Sequence, residues 1–201
     1  MSDTIHAPAF KIGEYRLILP LSEALQESVM ALRKELHEKC RVSLPFELKP
    51  HLTILHCHAF EGMEAKLAEK IQQVATRNKT FKVELQDFAA YPSHTIYIHV
   101  ATRSPFNELA KELKRVRPLT KIPDHEPHFI NEPHLVMAQR LKINQFTQMW
   151  KQCEHTPFTG KFLASSMVLM KRSEYNSRYK AIRQFDFASL ASSVKQGTLF
   201  G

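Results

Sequence analysis

Two short segments of this 201-residue chain carry matching residues able to do acid–base chemistry. His51-Leu52-Thr53-Ile54 follows Pro50, and His134-Leu135-Val136-Met137 follows Pro133, 83 positions further on. In an extended strand residues two apart share a face, so His51 and Thr53 point one way while Leu52 and Ile54 enter a core. By the same alternation His134, Val136, Ala138 and Arg140 share a face. If the two strands are neighbours, one surface displays two imidazoles, a hydroxyl and a guanidinium. An imidazole titrates near pH ~6.5, so at neutral pH one ring can take a proton while the other gives one, on opposite sides of a single phosphorus. Thr53 and Arg140 can hold the non-bridging oxygens on which negative charge accumulates. This is equipment for phosphodiester chemistry without a metal or other cofactor.

The elements that must position these residues repeat along the chain. Tyr15 to Leu21 is a short apolar strand, and Ser22 opens a helix whose apolar positions Leu25, Val29, Leu32 and Leu36 recur at helical spacing. A strand from His51 to Phe60 follows, then a helix marked by Met63, Leu67, Ile71 and Val74, and a strand from Phe81 to Phe88. The second half repeats the order: a strand from Thr95 to Ala101, a helix opened by Ser104-Pro105 and closed by Pro118, a Pro- and His-rich loop from Leu119 to Glu132, a strand from His134 to Leu141. A helix with Ile143, Phe146, Trp150 and Cys153 and a strand from Phe162 to Met170 complete it. Tyr15 maps near Tyr97 at almost the same offset as the histidines. The expected fold is α+β, with two duplicated βαβ-type lobes whose antiparallel sheets flank a central groove. Residues 1–13 and 188–201 read as tails around one two-lobed domain, 14–187, with Lys171 to Phe187 forming a closing strand pair around Asn176-Ser177.

With both histidine motifs and the duplication in hand, the chain resembles the 2H phosphoesterase superfamily, which contains RNA 2′,3′-cyclic phosphodiesterases and 2′-5′ RNA ligase-like proteins. The family signature is one His-x-(Thr/Ser)-x motif per lobe; the first is intact here and the second is degenerate, with Val136 in the hydroxyl position. The resemblance extends from about Tyr15 to Phe187 and includes Leu169-Met170-Lys171-Arg172-Ser173 and Tyr179-Lys180-Ala181-Ile182. It implies a hydrolase acting on 2′,3′-cyclic or 2′-5′ phosphodiesters of RNA ends or small nucleotides, with His51 and His134 as the acid–base pair in either order. Valine is nearly isosteric with threonine but donates nothing, so one contact to the phosphate, of order ~1–3 kcal/mol, is missing from the second motif. Slower turnover, an altered substrate, or a non-catalytic RNA- or nucleotide-binding protein on the same fold would follow from that loss.

Other candidates weigh less. A single histidine on a strand is more often a hydrogen-bonded or surface residue than a catalyst; the pairing of His51 with His134 is what raises the case. His56, Cys57 and His58 follow closely, but strict alternation puts His51 and Cys57 on one face and His56 and His58 on the other, so no metal site is expected. His99, two residues after Tyr97, can reach the groove but reads more simply as structural, and His125 and His128 sit in the Pro-rich loop, either a solvated connection or a substrate lid. Lys111, Lys114, Arg115 and Arg117 form a solvated basic face near a helix end. Lys171, Arg172, Arg178, Lys180 and Arg183 can flank the groove and hold a polynucleotide backbone, with Tyr91 or Tyr175 stacking on a base.

Twenty-eight Lys and Arg against 20 Asp and Glu, a formal net charge of +8, fit a polyanionic partner such as RNA. Three separated cysteines with no Cys-x-x-Cys pair argue against a disulfide framework or zinc knuckle and for a reducing compartment. No signal-length or membrane-length apolar run occurs, so a cytoplasmic monomer that does not engage membranes is expected. The terminal Gln196-Gly197-Thr198-Leu199-Phe200 resembles the short peptides by which bacterial proteins dock on the DNA sliding clamp, with Gln196, Leu199 and Phe200 as anchors.

Overall fold

The computed structural model describes residues 11–41, 49–92, 94–172 and 178–188. Tyr175 and the anchors Gln196, Leu199 and Phe200 lie outside the described residues. The elements run β1 (Ile12–Pro20), α1 (Glu23–Cys40), β2 (His51–Phe60), α2 (Glu64–Arg77), β3 (Phe81–Tyr91), β4 (Thr95–Val100), α3 (Ser104–Leu113), β5 (His128–Phe129), β6 (His134–Ala138), α4 (Ile143–Cys153), β7 (Thr159–Ala164), β8 (Ser166–Arg172) and β9 (Lys180–Asp186). Short 3-10 turns at Glu61–Met63 and Lys114–Leu119 precede α2 and follow α3, and Pro118 lies inside the second.

Two antiparallel sheets result, one in the order β5-β2-β1-β8-β9 and the other β6-β4-β3-β7. The repeat is visible in the strand partners. β1 lies between β2 and β8, and β4 between β6 and β3. Each half of the chain therefore sends its last strand into the other half's sheet: β3 joins the second and β8 the first. The first helix of each half crosses as well. α1 and α4 pack together beside β7 and β4, while α2 and α3 lie against β8, β9 and β2. The α+β architecture with two similar lobes stands, and the lobes are interlocked rather than simply adjacent.

Three expectations are corrected. The segment expected as one strand from Phe162 to Met170 is two strands in different sheets, with the switch at Ser165 between β7 and β8. Ala164-Ser165-Ser166 has no bulky side chain to hold the chain in one sheet, and the Ser165 carbonyl accepts from the Phe187 N–H at 2.8 Å. Tyr15 is not the counterpart of Tyr97. The strand partners of the histidines are Pro20 and His99, an offset of 79, so the connection from β4 to β6 is longer than that from β1 to β2. Tyr15 is fully buried and donates to Glu64 Oε2 at 3.0 Å, whereas Tyr97 is half-buried on the open side of its sheet. Lys171 also faces away from the groove, opposite Tyr15, with Nζ 2.7 Å from Glu64 and 3.4 Å from Glu61.

The core lies between the sheets and their helices. Leu17, Leu19, Leu52, Ile71, Ile96, Ile98, Leu113, Leu135, Met149 and Phe185 are all fully buried. Each such side chain contributes about 1.5–3 kcal/mol by leaving water, which anchors the backbone on either side of both histidines. Among the described residues no helix is long and apolar enough to cross a membrane.

Candidate active site

Both histidine strands carry the same irregularity. In β2, Leu55 pairs with Leu17 and Thr53 with Ile18, leaving Ile54 as the extra residue of a β-bulge. In β6, Ala138 pairs with Ile96 and Val136 with Tyr97, leaving Met137 extra. Ile54 and Met137 occupy the same place, three residues after each histidine. A bulge shifts the alternation by one residue, so beyond it the two faces exchange. His51, Thr53, His56 and His58 are consequently all half-buried on one face, and Leu52, Ile54, Leu55 and Cys57 enter the core. The expectation that His56 and His58 oppose His51 is corrected by that extra residue. In β6 the bulge turns Ala138 into the core instead of onto the His134 face. Arg140 lies past the strand end, exposed, with a left-handed backbone at φ 58°.

Local geometry presents one nitrogen of the first imidazole. Nδ1 of His51 donates to the Lys49 carbonyl at 2.7 Å, so the neutral ring carries its lone pair on Nε2. Burial lowers the pKa of His51; the Lys49 carbonyl works the other way, and the Arg16 and Arg33 charges lower it further. Burial also lowers His134, and the Glu132 carbonyl, again two residues back, partly counters it. The Glu132 carbonyl is too poorly placed for a full hydrogen bond, so His134 Nδ1 is buried with no hydrogen-bond partner among the described residues. The Thr53 and Val136 side chains stand two residues after each ring, half-buried on the same face.

The two strands approach each other along open edges. Among the described residues β5 pairs only with Leu55 and His56, which leaves the His51 end of β2 without a strand partner on that side, and β6 is the edge of its sheet. β2 and β6 are in contact. Helix α1 bridges the seam: an Arg33 guanidinium N–H donates to the Val136 carbonyl, and its charge is felt at His51.

The family model for the 2′-5′ RNA ligase superfamily matches residues 21–176, most of the chain and both histidine motifs. The chain belongs to this 2H phosphoesterase superfamily. No curated protein matches it significantly. Among solved structures, E. coli LigT complexed with 3′-AMP aligns at a TM-score of 0.63 and 14% identity, covering 89% of this chain and 99% of that one. TT0787 of Thermus thermophilus aligns at 0.58 and 12% identity, covering 88% and 99%. Usb1 of Kluyveromyces marxianus aligns at 0.52 and 15%, covering 88% and 98%. At these identities the likeness is one of fold. Family and fold together support a phosphoesterase-type activity.

Within this 2H phosphoesterase the other expected residues fall into two groups. Tyr91 joins the second motif: its ring centre is 5.4 Å from that of His134 and 4.8 Å from that of Tyr97, and it is exposed. Tyr97, which sequence reasoning placed only by its repeat, lies 4.8 Å from His134 and forms the other wall. Arg172 is on the open face of the first sheet, but Glu14 already engages it. Glu14 accepts from Arg172, from the Tyr179 hydroxyl and from His56 Nε2, the last at 2.7 Å. Burial pushes this carboxyl up, but the three donors outweigh it and hold the pKa at about 2. Arg16 and Arg172 lie 4.2 and 4.9 Å from the Tyr179 ring centre, while the His58 and His125 rings are 4.1 Å apart. No group of three or more His, Cys, Asp or Glu side chains among the described residues is arranged to hold a metal ion.

Arg33 is the residue that sequence reasoning missed. Its signal was a lone cation in the stripe of Val29, Leu36 and Cys40, the side chains α1 buries.

Proposed function

We propose that this chain is a metal-independent hydrolase of 2′,3′-cyclic or 2′-5′ phosphodiesters at RNA ends or in small nucleotides. The supporting observation is the duplicated histidine and bulge, with each imidazole three residues before the extra residue on two strands that are in contact. E. coli LigT was crystallised with 3′-AMP and with phosphate, which fits a nucleotide phosphate as ligand of this fold.

One histidine removes a proton from water as the water oxygen bonds to phosphorus. The P–O bond to the ribose then breaks, and the other, protonated histidine gives its proton to the departing oxygen. Water is consumed, the net proton count on the pair is unchanged, and each ring regains its starting protonation state by exchange with solvent. The Thr53 hydroxyl makes no hydrogen bond among the described residues and is free to donate to a non-bridging oxygen. Tyr91, edge-on to His134 and exposed, is positioned to stack on a base. Arg140, at the end of β6, supplies positive charge for the rest of an RNA backbone, and on the first sheet Arg16 and Arg172 around Tyr179 carry more positive charge than the Glu14 carboxylate offsets.

Turnover of 2′,3′-cyclic nucleotides and 2′-5′-linked dinucleotides in chelator tests this reading. The wild type should hydrolyse at least one of them, and His51→Ala and His134→Ala should each lose about 10²–10⁴-fold in kcat. Undiminished rates in either variant overturn the two-histidine mechanism. Salt-sensitive RNA binding by a wild type that turns over none of these substrates would instead establish the non-catalytic binding protein.

A further inference from the structure

Arg33 is unusual among the cations of this chain. Its side chain is half-buried with Nε out of contact with water, and this burial pulls its pKa down to about 10 and leaves it charged at neutral pH. No carboxylate among the described residues pairs with it. One N–H reaches the Val136 carbonyl, and Nε is buried with no hydrogen-bond partner among the described residues. A buried charge with neither counter-ion nor a full set of hydrogen bonds destabilises a fold. A neutral donor would serve the Val136 carbonyl equally well. The charge therefore needs another explanation, and its location provides one: it stands at the seam of β2 and β6, next to Val136, where the second motif lacks the hydroxyl of the first.

We infer that Arg33 is an anion-binding residue of the groove, donating from α1 to a phosphate oxygen that the side chain of Val136 cannot reach with a hydrogen bond. The ligand class is a phosphate monoester or diester, held between the Thr53 hydroxyl on one strand and the Arg33 guanidinium beside the other. The inference rests on the phosphoesterase reading for its connection to turnover, but not for its connection to anion binding. It also accounts for the lost hydroxyl: a forked, permanently charged donor replaces a neutral one, at the cost of leaving the empty site with an unmatched charge.

The test uses the full-length protein, inorganic phosphate as probe and chloride at matched ionic strength as control. Thermal unfolding in chloride alone should place Arg33→Met at or above the wild-type midpoint, because the variant removes an uncompensated buried charge. Phosphate at saturating concentration should raise the wild-type midpoint by several degrees, about 2–4 °C for each factor of five or so in the folding equilibrium, and should leave Arg33→Met unmoved. Arg33→Gln keeps a donor for the Val136 carbonyl without the charge, and it too should lose the phosphate response. On the substrate that the wild type turns over, Arg33→Met should lose at least ~10-fold in kcat/KM, and adding Val136→Thr to that variant should recover about 10-fold or more, a larger gain than the same substitution gives beside an intact Arg33. Lower stability of Arg33→Met in chloride, failure of that variant to fold, or an intact phosphate response in Arg33→Gln would each show that Arg33 is a strut and overturn the inference. So would a wild type that does not respond to phosphate. If phosphate binding depends on Arg33 but no substrate turns over, the phosphoesterase reading falls and the anion site stands; turnover that survives in both Arg33 variants has the opposite meaning.

Discussion

Replacing Val136 with threonine adds one hydroxyl to the site and little else. The two side chains have nearly the same volume, and position 136 is half-buried on the face it shares with His134, so the new oxygen meets the groove instead of the core. Leu135 and Met137 on either side carry the packing and are untouched. The change in folding stability should therefore stay within about 0.5 kcal/mol, as for surface substitutions. Its effect on the reaction follows from Thr53, which occupies the matching place in the first motif. A hydrogen bond to a charged acceptor contributes about 1.5–3 kcal/mol when the donor was previously absent. In this chain Arg33 already stands at the same edge, so the hydroxyl adds less than that range, about 1 kcal/mol, or roughly 5-fold in kcat/KM. The assay is initial-rate hydrolysis of a 2′,3′-cyclic nucleotide by wild type and Val136→Thr, with unfolding midpoints measured in parallel. An unchanged or lower kcat/KM with an unchanged midpoint would refute the reasoning, since the hydroxyl would then have no access to the developing charge.

Three further outcomes can be checked. The kcat/KM profile against pH should be bell-shaped and centred below 6.5, because burial lowers both His51 and His134 in the free protein; a centre at or above 7 would contradict the burial seen here. Glu14→Gln should cost about 1–3 kcal/mol of stability at pH 7, since Arg172, Tyr179 and His56 lose a charged acceptor; the folded carboxyl titrates near 2 and the unfolded one near 4.5, so this wild-type advantage is complete above pH 4.5 and disappears as pH falls towards 2, as denaturant titrations across that range would show. Cys40, Cys57 and Cys153 are buried, and burial pushes Cys57 and Cys153 up to about 12, so a disulfide thiol reagent at pH 8 should label none of them rapidly until the chain is unfolded.

Much of the fold could be read from spacing because most elements bury one stripe of apolar residues. His51–Phe60 and Ile143–Cys153 are found where alternation and helical periodicity put them. What spacing missed arose where one residue broke a period. Ile54-Leu55 and Met137-Ala138 are adjacent apolar pairs inside otherwise alternating strands, and each marks a bulge; treating them as regular strand put His56 and His58 on the face opposite His51 and set Ala138 and Arg140 in line with His134. The β7–β8 switch was hidden because both strands are apolar and the small residues between them leave no turn signal. The histidines themselves were legible as a pair. Their shared orientation is a property of backbone register, which side-chain types do not encode.

Strand exchange explains why that orientation can be kept. In each sheet the histidine strand hydrogen-bonds to a central strand, β1 or β4, whose far side is occupied by β8 or β3 from the opposite half of the chain. The lobes cannot separate without drawing a strand out of a sheet, which breaks a whole ladder of backbone bonds as well as the apolar packing of Leu169 or Leu85. Loosening of the groove by domain opening is thus far more costly here than at an ordinary interface between lobes. Among the described residues the same connectivity leaves the His51 end of β2 and the outer side of β6 without a strand partner, and each strand carries a bulge three residues after its histidine. The proposed catalysis by two separated imidazoles would depend on holding their spacing to a fraction of an ångström, and a covalent crossover in each direction supplies that rigidity where two residues on independently moving lobes would not.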